Sequence, residues 1–202
     1  MNSVVKLVPF VISLSYVGIC LLICTFIKKK IGENLTRKLL HMAMACWWFL
    51  RLCFLESKYL WLGPLGFMIF FLIYERKKSK KGLWQFCFSL TILTMLTEYI
   101  TGYVASATSA VMVMGLSDSL AAIIGRRYQE KHNMKKTWSF AGSAVFFLVT
   151  LVILTLVFQD FSKIIWWIVI AGVVAFIEAK ILPEYDNITV PLSILFLTKL
   201  VA

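Results

Sequence analysis

The chain carries an acidic residue inside an apolar segment that ends in a cluster of cations. Asp118 lies in the apolar run that closes at Gly125. The next residues include five cations, Arg126, Arg127, Lys131, Lys135 and Lys136. A charge inside a membrane-spanning helix costs about 2.5–3.5 kcal/mol on insertion scales, so such residues usually serve a function. Asp118 is therefore predicted to bind a divalent metal or to activate a hydroxyl group. The alternative is helix packing, with Asp118 paired to a neighbouring cation.

Small residues accompany this acid and follow the cations. Ser117, Ala121 and Gly125 recur every four residues, a spacing that lets another helix or a ligand approach the backbone. After the cations, Ser139 begins the sequence SFAGS and is a favourable N-cap. Free backbone N–H groups and the helix dipole at such an N-terminus favour phosphate. The alternative is that the cations are solvated or contact anionic lipid head groups.

A second set of polar side chains opens another helix, within NLTRKLLHM. Arg37 and His41 are four residues apart, so they share one helix face and present two donors on the same side. Asn34 or Thr36 is a suitable N-cap for this helix. The alternative is that Arg37 and Lys38 only signal topology and that His41 is an interfacial histidine.

Further acidic residues lie near the C-terminal end, within IEAKILPEYDNITVP. Glu178 lies inside an apolar run, and Asp186 and Asn187 lie just beyond it. Carboxylates beside cations suit a site at which Mg²⁺ neutralises a polyphosphate, since Mg²⁺ takes one or two carboxylates and completes its shell with water and phosphate oxygens. The alternative for Asp186 and Asn187 is a turn, which leaves Glu178 unexplained.

The composition predicts that a membrane-embedded chain positions these groups. Hydrophobic residues make up 60% of the 202 residues, whereas soluble domains have about 45–50%. We predict an all-α fold, a polytopic transmembrane bundle of seven or eight helices that forms one integral membrane domain over residues 1–202. The net charge of +11 does not indicate a nucleic-acid partner, because the cations lie in short segments beside the apolar runs. The five cysteines lie in apolar runs and are expected to be small buried hydrophobes.

Eight apolar runs are predicted to be helical spans. They are Leu7–Ile27, Leu39–Leu55, Tyr59–Tyr74, Leu83–Thr97, Tyr103–Gly125, Ala141–Phe158, Ile164–Leu182 and Ile188–Val201. The last is short and contains Pro191, so a re-entrant or tilted segment is the alternative. This threading puts the segments 28–38, 75–82, 126–140 and 183–187 on one side, which their cations predict to be cytoplasmic, with the N-terminus outside. The polar clusters then lie at the cytoplasmic ends of helices.

Four motifs occur in order along the chain. They are RKLLH at Arg37–His41, DSLAAIIGRR at Asp118–Arg127, KKTWSFAGS at Lys135–Ser143 and E-x-x-x-LPEYDNITVP at Glu178–Pro191. Together they resemble the motifs of the CTP-dependent kinases of lipid alcohols, a family that includes phytol kinase, dolichol kinase, polyprenol kinase and CTP-dependent diacylglycerol kinase. The last motif is the most specific. The chain departs from the family at Ser117, where the family usually has glycine.

The resemblance implies transfer of the γ-phosphate of CTP to the hydroxyl of a hydrophobic alcohol, with Mg²⁺, at the cytoplasmic face of the plasma membrane. It implies that Asp118 and Asp186 hold the metal, that Asp118 is also a catalytic residue, and that Glu178 or His41 is the general base. The residues expected to contact the nucleotide or its phosphates are Arg37, Lys38, Ser117, Gly125, Arg126, Lys136, Ser139, Gly142, Ser143 and Asn187. The expected partners are CTP, a lipid alcohol and membrane lipids, with no nucleic acid and an open oligomeric state.

Two other functions fit parts of the pattern. One is a CTP-dependent cytidylyltransferase acting on a lipid phosphate, which also binds CTP through acidic and lysine-containing motifs. The other is a transporter or a lipid-binding scaffold, in which intramembrane acids serve ion coupling. The short chain and the EYDNITVP ending favour the kinase. The lack of a visible internal repeat, and acids at one face instead of the midplane, disfavour a transporter.

Overall fold

The computed structural model describes residues 3–54, 58–75, 82–100, 102–133, 139–181 and 185–202. These residues form helices joined by turns, with no strand among them. The prediction of an all-α fold is confirmed.

Nine α-helical segments occur in this part of the chain. They are α1 (Ser3–Ile31), α2 (Glu33–Cys53), α3 (Leu62–Glu75), α4 (Leu83–Tyr99), α5 (Val104–Met112), α6 (Asp118–Lys131), α7 (Phe140–Phe158), α8 (Ile164–Lys180) and α9 (Asp186–Val201). A π-helical turn, Val113–Ser117, joins α5 to α6, so Val104–Lys131 is one continuous helix. A 3₁₀ turn, Phe161–Lys163, leads into α8. Each predicted span overlaps one of the resulting helices.

Four of the described helices are long and apolar enough to cross a membrane. They are Val8–Ile31, Val104–Lys131, Phe140–Phe158 and Phe161–Lys180, with mean hydropathies of 2.5, 1.6, 2.5 and 1.9 over their apolar windows. The window in Val104–Lys131 is 72% buried, against 11%, 22% and 28% in the other three. Val104–Lys131 is therefore an interior helix, whereas the other three present apolar side chains outward, as lipid-facing helices do.

The helices form two compact units. The first unit, Met1–Val104, contains α1 to α4. Within it α1 packs against α2, and α3 packs against α4. The Tyr16 hydroxyl on α1 donates a hydrogen bond to the Ala43 carbonyl on α2 at 2.8 Å. In the second unit, Ala105–Ala202, α7 packs against α6 and α8, and α9 packs against α8 and the π turn.

The cationic segment between the first two helices is helical instead of a loop. α1 continues to Ile31 and α2 begins at Glu33, so Gly32 alone separates them, with a φ of +81°. Glycine adopts this left-handed conformation without strain. The three lysines 28–30 lie in the last turn of α1, where positive charge complements the helix dipole. Lys28 also pairs with Glu33 across the break at 3.3 Å.

The predicted N-cap of α2 at Asn34 or Thr36 is wrong. The helix starts earlier, with Gly32 at the N-cap position and no side-chain cap. Thr36 Oγ1 instead donates to the Gly32 carbonyl at 2.7 Å, a contact between a hydroxyl and the carbonyl four residues earlier that is common inside helices. The glycine break, and not a polar side chain, sets where α2 begins.

The predicted loop 126–140 is also helical in its first part, because α6 continues to Lys131. Arginine, glutamine, glutamate and lysine are strong helix formers, so the sequence after Gly125 supports further turns. Arg126 Nε lies 2.9 Å from Glu130 Oε1, a pair four residues apart that stabilises the extension. The cations up to Lys131 are therefore arranged on a helix.

A buried ion pair connects α2 with α4 in the first unit. The side chains of Arg51 and Glu98 are 0% and 1% exposed, and Arg51 Nε lies 3.8 Å from Glu98 Oε1. Arg51 also donates to Thr97 Oγ1 at 3.2 Å, and Glu98 accepts from the Tyr59 backbone N–H at 2.9 Å. Neither charge stands out in the sequence, because each lies near the end of an apolar run, where a charge is expected to face water.

We expect Arg51→Met to lower the free energy of unfolding by about 3–5 kcal/mol, because it leaves the Glu98 carboxylate buried without its cation. The double variant with Glu98→Met should lose less than the single variant, since no buried charge remains. Thermal unfolding of the detergent-solubilised variants measures both effects. Losses that simply add in the double variant would show that the two side chains do not interact.

Candidate functional site

The predicted site residues fall in both compact units. Arg37, Lys38 and His41 lie on α2 in the first unit. The second unit holds Ser117, Asp118, Gly125, Arg126, Ser139, Gly142, Ser143, Glu178, Asp186 and Asn187. Lys136 lies outside the described residues. Every predicted acidic residue of the site therefore belongs to the second unit.

Asp118 directly follows the π turn of the interior helix. Its backbone N–H donates to the carbonyl of Val113, five residues earlier, which is the π-helical pattern. Asp118 is 5% exposed. Its neighbour Ser117 is fully buried and accepts a hydrogen bond from the Thr150 hydroxyl on α7 at 3.1 Å. The acid predicted from the sequence thus lies buried beside an irregular turn of the kind that is frequent at functional sites.

The small residues of α6 bring its backbone against α7. A Cβ atom placed on Gly125 would lie 2.8 Å from Ser139 Oγ and 3.2 Å from Gly142 Cα. A Cβ atom placed on Gly142 would lie 3.2 Å from the Ala121 carbonyl oxygen. A contact of 2.8 Å is closer than real Cβ atoms come, so a side chain at Gly125 would displace Ser139 Oγ. The contacts at Gly142 are tighter than nine in ten real Cβ contacts, so a side chain there would need its neighbours to shift by a few tenths of an ångström. The predicted close approach of another helix is present, and phosphate binding by Gly125 and Gly142 stays a prediction.

Ser139 caps α7, as the sequence predicts. Its Oγ accepts a hydrogen bond from the Gly142 N–H at 3.1 Å. The Ser143 N–H donates to the Ser139 carbonyl at 3.2 Å and so begins the helical pattern. The other N–H groups of the first turn have no acceptor within a helix. Because α7 is 19 residues long, this N-terminus combines such donors with the positive end of a helix dipole, as anion sites do.

The cationic end of α6 begins next to this N-terminus. Gly125 touches Ser139 and Gly142 at the start of α7, and Arg126 is the next residue of α6. The pair between Arg126 and Glu130 is exposed, with 60% and 65% of the two side chains accessible. Exposed pairs of this kind contribute only about 0.3–0.5 kcal/mol. Arg126 can therefore exchange Glu130 for a phosphate at little cost.

The C-terminal acids lie on α9, which packs beside the π turn, and on α8, which packs against α9. Glu178 is half-buried near the end of α8. Asp186 and Asn187 begin α9, so the alternative of a simple turn is wrong. Asp186 Oδ1 accepts from the Asn187 N–H at 2.6 Å, and Asn187 is 3% exposed. Because α9 packs against the π turn that precedes Asp118, these acids belong to neighbouring elements.

In the first unit, the three predicted site residues on α2 are one buried and two half-buried side chains. Arg37 and Lys38 are half-buried. His41 is 1% exposed, and its ring stacks on Phe86 with centroids 4.4 Å apart and planes at 22°. The imidazole is therefore buried among protein side chains, and both its predicted role and the alternative of an interfacial histidine stay predictions.

The acids of the second unit match Mg²⁺ in donor chemistry. Among the described residues, no three His, Cys, Asp or Glu side chains come together, so these residues form no cage of the kind that holds structural Zn²⁺. Mg²⁺ instead takes one or two carboxylates together with water and phosphate oxygens. Asp118 and Asp186 supply oxygen donors of that type and number, so they fit an ion that arrives with a polyphosphate.

The sequence does not predict the π turn. Gly115, inside the turn, is the one hint, because glycine weakens a regular helix. The same residue type also occurs in regular helices, so the hint is weak.

We expect Gly142→Ala to lower the free energy of unfolding by about 1–3 kcal/mol, as overpacking does, because the new methyl group would meet Ser139 Oγ and the Ala121 carbonyl. Gly172→Ala on α8 is the matched control. The nearest atom to a Cβ atom there is Phe147 Cε2 at 4.0 Å, so better helix propensity should leave stability unchanged or slightly raised. Thermal unfolding compares the two. Equal tolerance of both variants would contradict the backbone contact.

The comparisons with known proteins identify no relative. No family model, no curated protein and no solved structure matches this chain. The function is therefore inferred from the residues of the chain itself and from the motifs that they form.

Proposed function

We propose that this chain is a membrane kinase that transfers the γ-phosphate of CTP to the hydroxyl of a hydrophobic alcohol at the cytoplasmic membrane face. The observation that carries the proposal is the second unit's arrangement of a buried acid, a cationic helix end and a capped helix N-terminus. Asp118 lies on α6, Arg126 follows on the same helix, and the start of α7 touches α6 at Gly125. The cationic helix end and the capped helix N-terminus would bind a polyphosphate, and the buried acid would bind its metal.

Phosphoryl transfer demands positioning and charge neutralisation more than covalent chemistry from the protein. The first-turn N–H groups of α7, behind the Ser139 cap, would bind phosphate oxygens. Arg126 would add a fixed positive charge beside them. From the resemblance of their motifs, Arg37 and Lys136 are proposed to contact phosphates as well. Asn187, buried at the start of α9, offers an amide for the nucleotide.

Asp118 and Asp186 are the proposed ligands of Mg²⁺, which supplies neutralisation of the phosphate charge when it is bound. Asp118 is suited to this role because its burial would keep water from competing for the carboxylate. The Asn187 N–H bond to Asp186 Oδ1 orients the second carboxylate.

The general base is proposed to be Glu178 or His41. In the reaction the base takes the proton of the alcohol, the alcohol oxygen forms a bond to the γ-phosphorus, and the bond between that phosphorus and the β–γ bridging oxygen breaks. CDP leaves with the bridging oxygen, and the lipid phosphate is the product. Half-burial of Glu178 near the end of α8 suits a group that must meet a substrate at the membrane surface.

The membrane position of the chain fits these two substrates. The four long apolar helices provide a route into lipid, where the tail of an isoprenoid alcohol or of diacylglycerol stays, while its hydroxyl remains at the level of the head groups. The nucleotide is soluble and reaches the same surface from the cytoplasm. The plasma membrane is the proposed location.

We expect Asp118→Asn to reduce phosphate transfer at least about a hundredfold, because an amide keeps the shape but not the charge that the metal requires. Asp160→Asn is the matched control, since Asp160 lies at the exposed corner between α7 and α8. There the Ser162 hydroxyl, 2.6 Å away, holds the pKa of Asp160 below its ordinary value. The control should transfer phosphate normally. Near-normal turnover by Asp118→Asn protein with an unchanged melting temperature would overturn the metal assignment.

The reaction itself is tested with purified protein, Mg²⁺ and CTP labelled on either the γ- or the α-phosphate. Phytol, geranylgeraniol, undecaprenol, dolichol and diacylglycerol serve as acceptors, with γ-labelled ATP as the competing donor. A kinase transfers the γ-label to lipid and leaves the α-label in CDP. Transfer of the α-label to a lipid phosphate would instead identify a cytidylyltransferase. No labelled lipid with any pair would refute the kinase.

A further inference from the structure

The interior helix and α7 meet along a seam of buried residues that recur every four positions on each helix. The seam comprises Ser117, Ala121 and Gly125 on the interior helix and Gly142, Phe146 and Thr150 on α7. Two contacts fix its register, because Gly125 lies against Gly142 and Ser117 is bonded to Thr150. These contacts are eight residues apart on both helices, or about 12 Å. The two helices are therefore antiparallel and joined at both ends of the seam.

The two ends of the seam are joined by different chemistry. The glycine end is a contact between main chains, whereas at the other end the Thr150 hydroxyl donates to Ser117 Oγ at 3.1 Å, with both residues 0% exposed. Thr91, Thr94 and Thr198, which are also buried, donate instead to the carbonyl four residues earlier in their own helices. That bond is the usual one for a helical threonine. Thr150 therefore uses its hydroxyl to join two helices.

This bond between hydroxyl groups lies where the interior helix is irregular. Ser117 is the last residue of the π turn, and the Asp118 N–H closes that turn on the Val113 carbonyl. A π turn holds one residue more than an α-helical turn, so its relaxation to an α-helix would rotate the following residues by about 100°. The bond to Thr150 holds Ser117, and the glycine contact holds Gly125. Asp118 is the first residue of the segment held between them.

We propose that Thr150 is a positioning residue of the metal site, whose hydrogen bond to Ser117 sets the direction in which the Asp118 carboxylate leaves the helix. The inference rests on the proposed function, because it takes Asp118 as a ligand of Mg²⁺. This ion demands near-ideal octahedral geometry, so a rotated carboxylate would bind it less well. Thr150 acts through its neighbour alone, and Ser117 has a role in the site that needs no contact with phosphate.

Thr150→Val tests the proposal, because valine keeps the shape of the side chain and removes the hydroxyl. The readout is retention of labelled CTP by the full-length protein in detergent, measured by equilibrium dialysis at increasing Mg²⁺ without an acceptor alcohol. We expect the half-saturating Mg²⁺ concentration to rise about tenfold, as loss of a group that orients a metal ligand does. Retention at saturating Mg²⁺ should return to the parent's value. A merely structural role would lower the melting temperature and leave the half-saturating concentration unchanged.

Two further variants separate the hydrogen bond from the loss of a buried hydroxyl. Thr150→Ser keeps the donor and should restore most of the parent's Mg²⁺ dependence. Thr198→Val removes a hydroxyl that is equally buried but bonded within α9, about 18 Å along that helix from Asp186, and should behave as the parent does. A shift in Thr150→Val protein that serine does not reverse would assign the effect to the methyl group and overturn the proposal.

Ser117→Ala removes the acceptor of the same bond and tests the pair from the other side. It should raise the half-saturating Mg²⁺ concentration as much as Thr150→Val does, and the double variant should show no further rise, because the two side chains share one interaction. Ser117→Ala also decides the proposal if Thr150→Val does not fold. Independent shifts that multiply in the double variant would contradict it.

Asp118→Asn in the same dialysis separates this inference from the proposed function. If Asp118→Asn raises the half-saturating Mg²⁺ concentration and Thr150→Val does not, the positioning role is refuted and the metal assignment stands. If neither variant changes it, or if the parent retains CTP independently of Mg²⁺, the metal assignment and the positioning role both fail.

Discussion

The backbone contact between α6 and α7 is the constraint on which the candidate site depends. Because Gly125 and Gly142 have no side chains, the two helices meet at their main chains, and the start of α7 is fixed beside the end of α6. Asp118 lies seven residues before Gly125, or about 10 Å along the helix axis. One contact thus sets the separation between a buried carboxylate and the N–H groups of a helix N-terminus, which are proposed to bind the phosphates of the nucleotide.

The first unit buries polar side chains in two different settings. In the first unit, Arg51 and Glu98 satisfy much of each other's charge and add bonds to Thr97 and to the backbone of Tyr59. Arg51 Nε and Glu98 Oε1, the two atoms of the ion pair, make no hydrogen bond among the described residues. The nitrogens of His41 have no such partner among the described residues. Buried polar groups with and without a charged partner therefore occur within the same four helices, and both kinds include atoms without a hydrogen bond among the described residues.

The positions of the helices, the cap of α7 and the close approach of α6 to another helix could be predicted, because apolar runs, capping residues and small-residue spacing act over a few residues. Ser139 at the N-terminus of α7 is an example. The end of α6 at Lys131 could not be predicted from hydrophobicity, because residues with high helix propensity continue the helix past the end of the apolar run. The pairing of Arg51 with Glu98 joins residues far apart in sequence, and periodicity within one helix contains no information on such pairs.

The π turn gives the interior helix two registers. It holds one more residue than the α-helical turn that it replaces, and each residue rotates an α-helix by about 100°. The residues of Val104–Met112 therefore follow one helical register, and Ala121 and Gly125 follow another. Because Ser106–Met112 are buried on every side of the helix, deleting one residue within Val113–Ser117 would act mainly on the second register and would turn the glycine contact away from α7. This helix is therefore expected to tolerate insertions and deletions less well than substitutions.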